Sequence, residues 1–339
     1  VGRDRAGRAT AVIGFCLAAG AGTRLLPVTR TVPKPLLAPA GRPLVDLAVE
    51  ALETAGAARV VVNAHHGAEL LVDELDGRDG VEVVVEPLLL GTGGGLVNAA
   101  RLGLLGDGDD PVLVTAADHV ADPADLAALA GFLERSGAPM VAGLVPAGPG
   151  AFGLRLEGVD GGRVARDPRG PWDSAGAYAV RAGLLCDLEP GPASLVERVL
   201  GPLLARGRLA GLPFRGAMAD AGTLGRLLDV SAGLLAGRWP YALPPGEVRP
   251  GLGTAPVLVA EGAAVDPAAV LAGPAVLDAG SRVGAAAVVT RAVVGPAAVV
   301  GAGARVAGSL LAPAARVGPG ATVTAALVPG AERGSDPAG

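Results

Sequence analysis

Leu17-Ala18-Ala19-Gly20-Ala21-Gly22-Thr23-Arg24-Leu25-Leu26-Pro27-Val28-Thr29-Arg30-Thr31-Val32-Pro33-Lys34-Pro35-Leu36 follows directly on the apolar run Ala11-Val12-Ile13-Gly14-Phe15-Cys16. The run has the length and composition of a β-strand. A strand, a glycine-rich turn and then a basic residue form a layout in which backbone N–H groups wrap an anion. Gly20 and Gly22 lack Cβ, so the backbone there is free to take a positive φ and to approach a ligand closely. Arg24 sits just past the turn, where a guanidinium can fork onto phosphate oxygens. Pro33 and Pro35 restrict the backbone on either side of Lys34, so that side chain leaves a stiff segment. Lys34 is also the only lysine among 28 basic residues. A lysine kept in a chain that otherwise uses arginine marks a role for a compact ammonium group.

Generic glycine-loop motifs do not fit this stretch. No Gly-Lys-Ser/Thr follows Gly20, which excludes a Walker-type loop, and Leu25 stands where a dinucleotide fingerprint needs its third glycine. Gly20-Ala21-Gly22-Thr23-Arg24-Leu25-Leu26-Pro27-Val28-Thr29 with Pro33-Lys34-Pro35-Leu36 resembles the signature of the sugar-1-phosphate nucleotidyltransferases (nucleotide-sugar pyrophosphorylases). That signature reads Gly-x-Gly-Thr-Arg-Leu-x-Pro-x-Thr followed by Pro-Lys-Pro-Leu. The resemblance implies that Ala19, Gly20, Ala21, Gly22 and Thr23 line the triphosphate. It also implies that Arg24 and Lys34 are the catalytic cations.

Working outward, residues 43–58 carry Leu44, Leu47, Ala48, Ala51 and Leu52 on one helical face, and Gly56 ends the pattern. Arg59–Ala64 reads as a buried strand, Glu69–Leu75 as a helix and Val81–Val85 as a third strand. Strand, helix, strand, helix, strand predicts a parallel, Rossmann-like α/β sheet with ligands at the carboxyl ends of its strands. Next, Leu90-Gly91-Thr92-Gly93-Gly94-Gly95-Leu96 opens a helix with four glycines in five residues. Such a start permits close approach by a flat or anionic group. It resembles the family's Leu-Gly-Thr-x-Gly-x-Leu, which lies against the nucleobase and implies nucleotide contacts at Gly91, Thr92 and Gly93. Glu86 falls where the family often carries a base-reading side chain. A carboxylate only accepts hydrogen bonds, so it suits a ring N–H of guanine, uracil or thymine better than adenine.

Pro111–Asp118 reads as another buried strand ending in an acid, a position suited to holding Mg²⁺ beside phosphates. It resembles the family's strand-Gly-Asp, with Ala117 in place of the glycine, which implies a metal role for Asp118. His119, without histidine or cysteine partners nearby in sequence, reads as a loop residue. Pro123–Arg135 is predicted helical, Met140–Val145 a strand, and Phe152–Leu156 with Gly162–Val164 a hairpin that resembles the family's sugar-side half. There the chain departs from the pattern. The Glu-Lys-Pro that grips the sugar phosphate in many members is Arg166-Asp167-Pro168-Arg169, so Arg166 or Arg169 is left to take over that contact. The family's Asn-Ala-Gly is Ser174-Ala175-Gly176. The sugar contacts implied are Gly153, Ser174 and Gly176. After a predicted helix at residues 194–207, Asp220-Ala221-Gly222-Thr223 resembles Asp-x-Gly-Thr, which makes Asp220 the second implied metal ligand. Leu224–Leu235 is helical.

Trp239-Pro240-Tyr241 to Gly246 breaks the pattern and reads as a linker. Beyond it Val265, Leu271, Leu277, Val283 and Val289 recur every six residues; Val294, Val300 and Val306 continue after a one-residue slip, and Leu311, Val317 and Val323 after another. Small residues fill the gaps. A six-residue repeat with one obligatory aliphatic position is the signature of a hexapeptide solenoid, here of three to four coils. The left-handed sense of such a β-helix is taken from the family. The domains expected are a nucleotidyltransferase domain at residues 11–238, a linker at 239–254 and a left-handed parallel β-helix at 255–330. Solenoids often serve assembly, which predicts a homo-oligomer. No histidine lies beyond residue 119, which argues against the acyltransferase chemistry of some hexapeptide proteins.

Composition agrees. Apolar residues make up 50% of the chain but aromatics only 2%, so Ala, Val and Leu must build the core. No stretch approaches the roughly 18–20 uninterrupted apolar residues of a membrane span. Residues 1–10 lack the apolar region of a signal peptide and residues 331–339 read as a disordered tail. The net charge is −5 with dispersed arginines, so no nucleic-acid face is expected. Cys16 and Cys186 form no metal or redox motif, and a reducing, cytoplasmic setting is expected. The resemblance therefore implies an enzyme that joins an NTP and a sugar 1-phosphate into an NDP-sugar and pyrophosphate with Mg²⁺. Guanine with mannose leads, and uridine or thymidine donors stay open. The alternative is a catalytically silent paralogue that binds nucleotide sugar and regulates an active partner.

Overall fold

The computed structural model describes residues 11–330; the expected N-terminal lead-in (1–10) and C-terminal tail (331–339) lie outside the described residues. The described residues form two compact units: one holds residues 11–20 with Ala48–Met218, the other Ala21–Leu47 with residues 219–330. The boundary falls inside the glycine turn.

In the first unit the chain runs β1 (Ile13–Leu17), α1 (Leu44–Thr54), β2 (Arg59–Ala64), α2 (Ala68–Leu75), β3 (Val81–Val85), α3 (Gly91–Arg101), β4 (Pro111–Ala116), β5 (His119–Ala121), α4 (Pro123–Ser136) and β6 (Met140–Pro146). Then follow β7 (Leu154–Glu157), β8 (Gly162–Arg166), β9 (Trp172–Arg181), α5 (Ala182–Cys186), α6 (Gly201–Ala205) and β10 (Leu209–Pro213). One sheet has the order β3-β2-β1-β4-β9-β6-β10-β8-β7. The pairs β3–β2, β2–β1, β1–β4 and β6–β10 are parallel, as the alternation of strand and helix predicts. Phe15, Val60, Val61, Val62, Val112 and Val114 are fully buried, which is why these strands read as unbroken apolar runs.

The parallel order expected for the first strands holds from β3 to β4, and the sheet becomes mixed beyond it. β9, which periodicity did not single out, lies antiparallel between β4 and β6. Its sequence is an unbroken apolar run only in its second half, where Ala177, Tyr178, Ala179 and Val180 are all buried. The helix expected over residues 194–207 begins instead as a π-turn at Val196–Leu200, closed by Gly201 N–H to the Val196 carbonyl, before α6. Pro202 has no N–H to give to the carbonyl of Arg198, so the usual spacing cannot be kept there.

In the second unit Thr23–Leu25, Val28–Arg30 and Lys34–Leu36 are single 3₁₀ turns. Chain order continues with β11 (Met218–Asp220), α7 (Leu224–Leu235), β12 (Gly246–Pro250) and β13 (Pro256–Ala260). The segment expected as a linker carries β12 and buries Trp239 and Tyr241. Beyond it short parallel strands stack in three columns. Val265 pairs with Val283, Val283 with Val300 and Val300 with Val317. Leu271, Val289, Val306 and Val323 form the second column. Leu277, Val294, Leu311 and Val328 form the third. This β-rich region of parallel strands fits a β-helix. The one-residue slips fall between the second and third columns, the same corner each time. The interior holds a second set that spacing did not reveal. Ala275, Ala287, Ala292, Ala298, Ala304 and Ala315, each two residues before an aliphatic position, are buried, and Ser281 and Ser309 hold the equivalent places. The α7 helix packs on this region. Among the described residues no helix is long and apolar enough to cross a membrane.

Leu277 and Leu311 are essentially inaccessible within the same apolar interior. Leu277→Ala or Leu311→Ala should therefore cost about 2–5 kcal/mol, from lost transfer energy plus a cavity. Denaturant unfolding followed by circular dichroism measures this.

Candidate active site

Four strand ends of the first unit bring candidate residues together. The chain leaves β1 at Ala18, β2 ends on Asn63-Ala64, β3 is followed by Glu86 and β4 by Ala117-Asp118. Ala117 N–H donates to the Leu17 carbonyl (2.9 Å), which sets Asp118 beside the exit of β1. The Asp118 charge and, above all, deep burial push the Cys16 thiol up. Asn63 Oδ1 accepts from Ala18 N–H at 2.8 Å, and Asn63 Nδ2 donates to Glu86 Oε1 at 2.7 Å. Glu86 Oε2 accepts from Leu90 N–H at 3.2 Å. The carboxylate expected to read a base is thus turned inward, onto the residue that precedes α3.

Packing accounts for all four glycines of the α3 start. A Cβ at Gly91 would stand 2.8 Å from the Ala193 carbonyl oxygen, at Gly93 2.4 Å from that of Ser194, and at Gly94 2.5 Å from that of Gly191. At Gly95 it would stand 2.5 Å from Glu86 Oε1. The Thr92 hydroxyl accepts from Leu195 N–H at 2.8 Å. The glycine count, which composition alone assigns to a ligand, is met by the close approach of residues 191–194 and of the Asn63–Glu86 pair.

On the sugar side the structure knits Ser174 and Gly176 together: Gly176 N–H donates to Ser174 Oγ (3.1 Å), which also bonds the Tyr178 hydroxyl (2.8 Å). Burial pushes the Tyr178 phenol up, opposed by that hydrogen bond. The His119 ring lies against Gly176, where a Cβ would meet its Cε1 at 2.1 Å. His119 Nε2 is 3.8 Å from Asp118 Oδ1, and its buried Nδ1 has no hydrogen-bond partner. His119, read from sequence as a loop residue, therefore stands between an implied metal ligand and an implied sugar contact. Gly153, with φ +75°, abuts the Asp167 carbonyl at the open end of the β7–β8 hairpin. Arg166 stacks on the Phe152 ring at 3.7 Å and donates to the Gly153 carbonyl at 3.1 Å, which ties it into the hairpin.

The second unit gathers the remaining residues. Gly22 takes a φ of +62°, and its carbonyl accepts from Thr29 Oγ1 at 3.0 Å. A Cβ on Gly22 would lie 3.0 Å from the Thr29 methyl and 3.1 Å from Lys34 Cβ, so glycine is what lets the turn close on the lysine-bearing segment. Arg24 and Asp220 converge over Gly222, where a Cβ would stand 2.8 Å from both Arg24 Nη2 and Asp220 Oδ1. Asp220 Oδ1 accepts from Gly222 N–H at 2.9 Å, and Oδ2 pairs with Arg226, which holds that guanidinium more firmly protonated. Sequence reading passed over Arg226 and Asn63. Asn63 had a signal, a lone amide closing an otherwise aliphatic strand.

Among the described residues no three His, Cys, Asp or Glu side chains cluster as a metal site. Asp118 and Asp220 are hard oxygen donors. A cation completed by substrate phosphates and water needs only one or two such carboxylates, so the donor chemistry fits a hard divalent ion.

In the first unit the carboxyl ends of β1 to β4 bring the glycine turn, Asn63, Glu86 and Asp118 to one edge of the sheet, the edge at which α/β folds carry their ligands. Residues 13–164 match the Nucleotidyl transferase family. A mannose-1-phosphate guanylyltransferase of Mycobacterium tuberculosis is 32% identical over 283 residues, 79% of this chain and 75% of that protein. A mannose-1-phosphate guanylyltransferase catalytic subunit beta of Danio rerio is 29% identical over 219 residues, 61% of this chain and 60% of that protein. The structure of a UDP-glucose pyrophosphorylase complexed with UDP-glucose shares the fold, with a TM-score of 0.56 at 18% identity over 67% of this chain and 99% of that one. The chain belongs to the nucleotidyl transferase family and is an enzyme of the sugar-phosphate nucleotidyltransferase class.

The chain has two cysteines, of which Cys16 is buried with its thiol pushed up and Cys186 is exposed. At mildly alkaline pH a thiol reagent should titrate one group in the folded protein and both after denaturation. Two rapidly reacting thiols in the native protein would contradict the burial of β1.

Proposed function

We propose that this chain transfers a guanylyl group from GTP to mannose 1-phosphate, giving GDP-mannose and pyrophosphate. The observation that carries the reading is the 32% identity with the Mycobacterium tuberculosis guanylyltransferase across 79% of the chain. The sugar phosphate is itself the nucleophile, so no general base is required. An oxygen of its phosphate attacks the α-phosphorus, the α–β bond breaks, and pyrophosphate leaves in line. Catalysis is positioning and charge neutralisation. In this reading the backbone of Ala19 to Thr23 wraps the triphosphate, Arg24 holds the departing pyrophosphate, and Lys34 bridges the α-phosphate and the incoming sugar phosphate. Gly91, Thr92 and Gly93 border the base, and Gly153, Ser174 and Gly176 border the sugar. Asp118 and Asp220 would hold Mg²⁺, which when bound neutralises phosphate charge. The left-handed sense of the C-terminal coil, assembly of copies through its flank and a cytoplasmic setting belong to the same proposal.

Pyrophosphate release from a panel of NTPs crossed with sugar 1-phosphates, in Mg²⁺, tests it. Release with GTP and mannose 1-phosphate is expected. Release only with another pair would overturn the assignment of base or sugar. Saturable GDP-mannose binding without turnover of any pair would point to a regulatory paralogue. Lys34→Ala and Asp118→Asn should each lower kcat/KM by about 100-fold or more with an unchanged circular dichroism spectrum.

A further inference from the structure

We infer that Asn63 and Glu86 form a buried positioning pair that ties the exit of β1 to the start of α3, and so sets the affinity for nucleotide. The inference rests on the reading above, in which the β1 exit leads to the triphosphate and the α3 start borders the base. Both side chains are only 2% exposed, so neither reaches a bound base directly. They act through what they hold.

The polarity of the pair is forced from both ends. Ala18 N–H is a donor, so the side chain at 63 must present an acceptor to it, at 2.8 Å. That turns the Asn63 amide nitrogen to Glu86, 2.7 Å away. Leu90 N–H, a second backbone donor, meets the other Glu86 oxygen at 3.2 Å. Glu86 therefore faces donors on both oxygens, which a carboxylate satisfies and an amide does not. The Glu86 carbonyl is tied too, 2.8 Å from His65 Nδ1. From the helix side, Gly95 leaves the room: a Cβ there would lie 2.5 Å from Glu86 Oε1 and 2.6 Å from Asn63 Nδ2. A single chain of hydrogen bonds thus runs from the turn after β1, through β2 and the end of β3, to the residue before α3. Buried networks of this kind are costly when one member is mismatched and rigid when all are satisfied.

This polarity makes a reciprocal exchange informative. E86Q places an NH₂ against a donor, and N63D places a carboxylate oxygen against a carboxylate. N63D/E86Q restores every bond: the new carboxylate accepts from Ala18 N–H and from the new amide, whose oxygen accepts from Leu90 N–H. Charge within the pair is unchanged. Each single variant should raise KM for the nucleotide about tenfold, as expected for one mismatched buried hydrogen bond. KM for the sugar 1-phosphate should hold, and the double variant should return close to the wild-type value. Equal KM for nucleotide in both single variants and wild type, or a double variant as impaired as the two singles combined, would overturn the inference. Equilibrium binding of GTP to the same four proteins separates this from the catalytic reading. Wild-type protein that binds GTP but turns over no substrate pair counts against guanylyl transfer, whereas undiminished GTP binding by both single variants counts against the pair. Should a single variant fail to fold, G95A crowds the pair without altering its polarity and should show the same selective rise in nucleotide KM; an unchanged KM there would also overturn the inference.

Discussion

A buried strand that stops must hand its last backbone donors to something, and at the exit of β1 that something is Asn63. Ala18 is buried, so its N–H has no water to turn to, and the Asn63 side-chain oxygen Oδ1 supplies the acceptor. The consequences propagate. An amide that gives its oxygen to Ala18 must place its nitrogen elsewhere, and Glu86 receives it. Glu86 then holds Leu90, and with it the first turn of α3. One unsatisfied donor at a strand end thus organises three loops at the carboxyl edge of the sheet, where α/β proteins carry their ligands.

The glycines of the two loops have different physical origins. Gly22 needs its positive φ and the space that Thr29 and Lys34 leave it, so the turn and the lysine segment specify each other. The glycines of α3 are a packing surface, three of them against the carbonyls of residues 191–194 and one against the Asn63–Glu86 pair. Residues 191–194 lead into the π-turn at Val196–Leu200. The backbone of one loop fills the space at Gly91, Gly93 and Gly94, and the Asn63 and Glu86 side chains fill it at Gly95. A run of glycine is thus compatible with a ligand but does not require one.

Elsewhere the structure relies on repetition. In the C-terminal region an aliphatic side chain and a small residue two positions earlier point inward at each strand, so every coil offers the next the same floor. The small position is held by alanine or serine, buried beside the aliphatic residue of its strand. This explains how a chain with 2% aromatics builds an interior: its second core is narrow enough for Val, Leu and Ala to close it.

What the sequence determined by itself is whatever depends on local periodicity or on short runs of covalent neighbours. The strands β1 to β4 announced themselves by aliphatic composition, α1 by its apolar face, the coil by its aliphatic spacing, and the residues of the glycine turn by their order along the chain. What only the tertiary structure decided are the relations between segments far apart in sequence. The antiparallel insertion of β9 between β4 and β6 is a matter of edge pairing, which leaves no periodic mark. The inward turn of Glu86, the commitment of Arg166 to Phe152 and Gly153, and the place of His119 beneath Gly176 each depend on a partner elsewhere in the chain. A side chain's chemistry is written in its own residue, but the direction it faces is set by the donor, acceptor or ring that the fold brings to it.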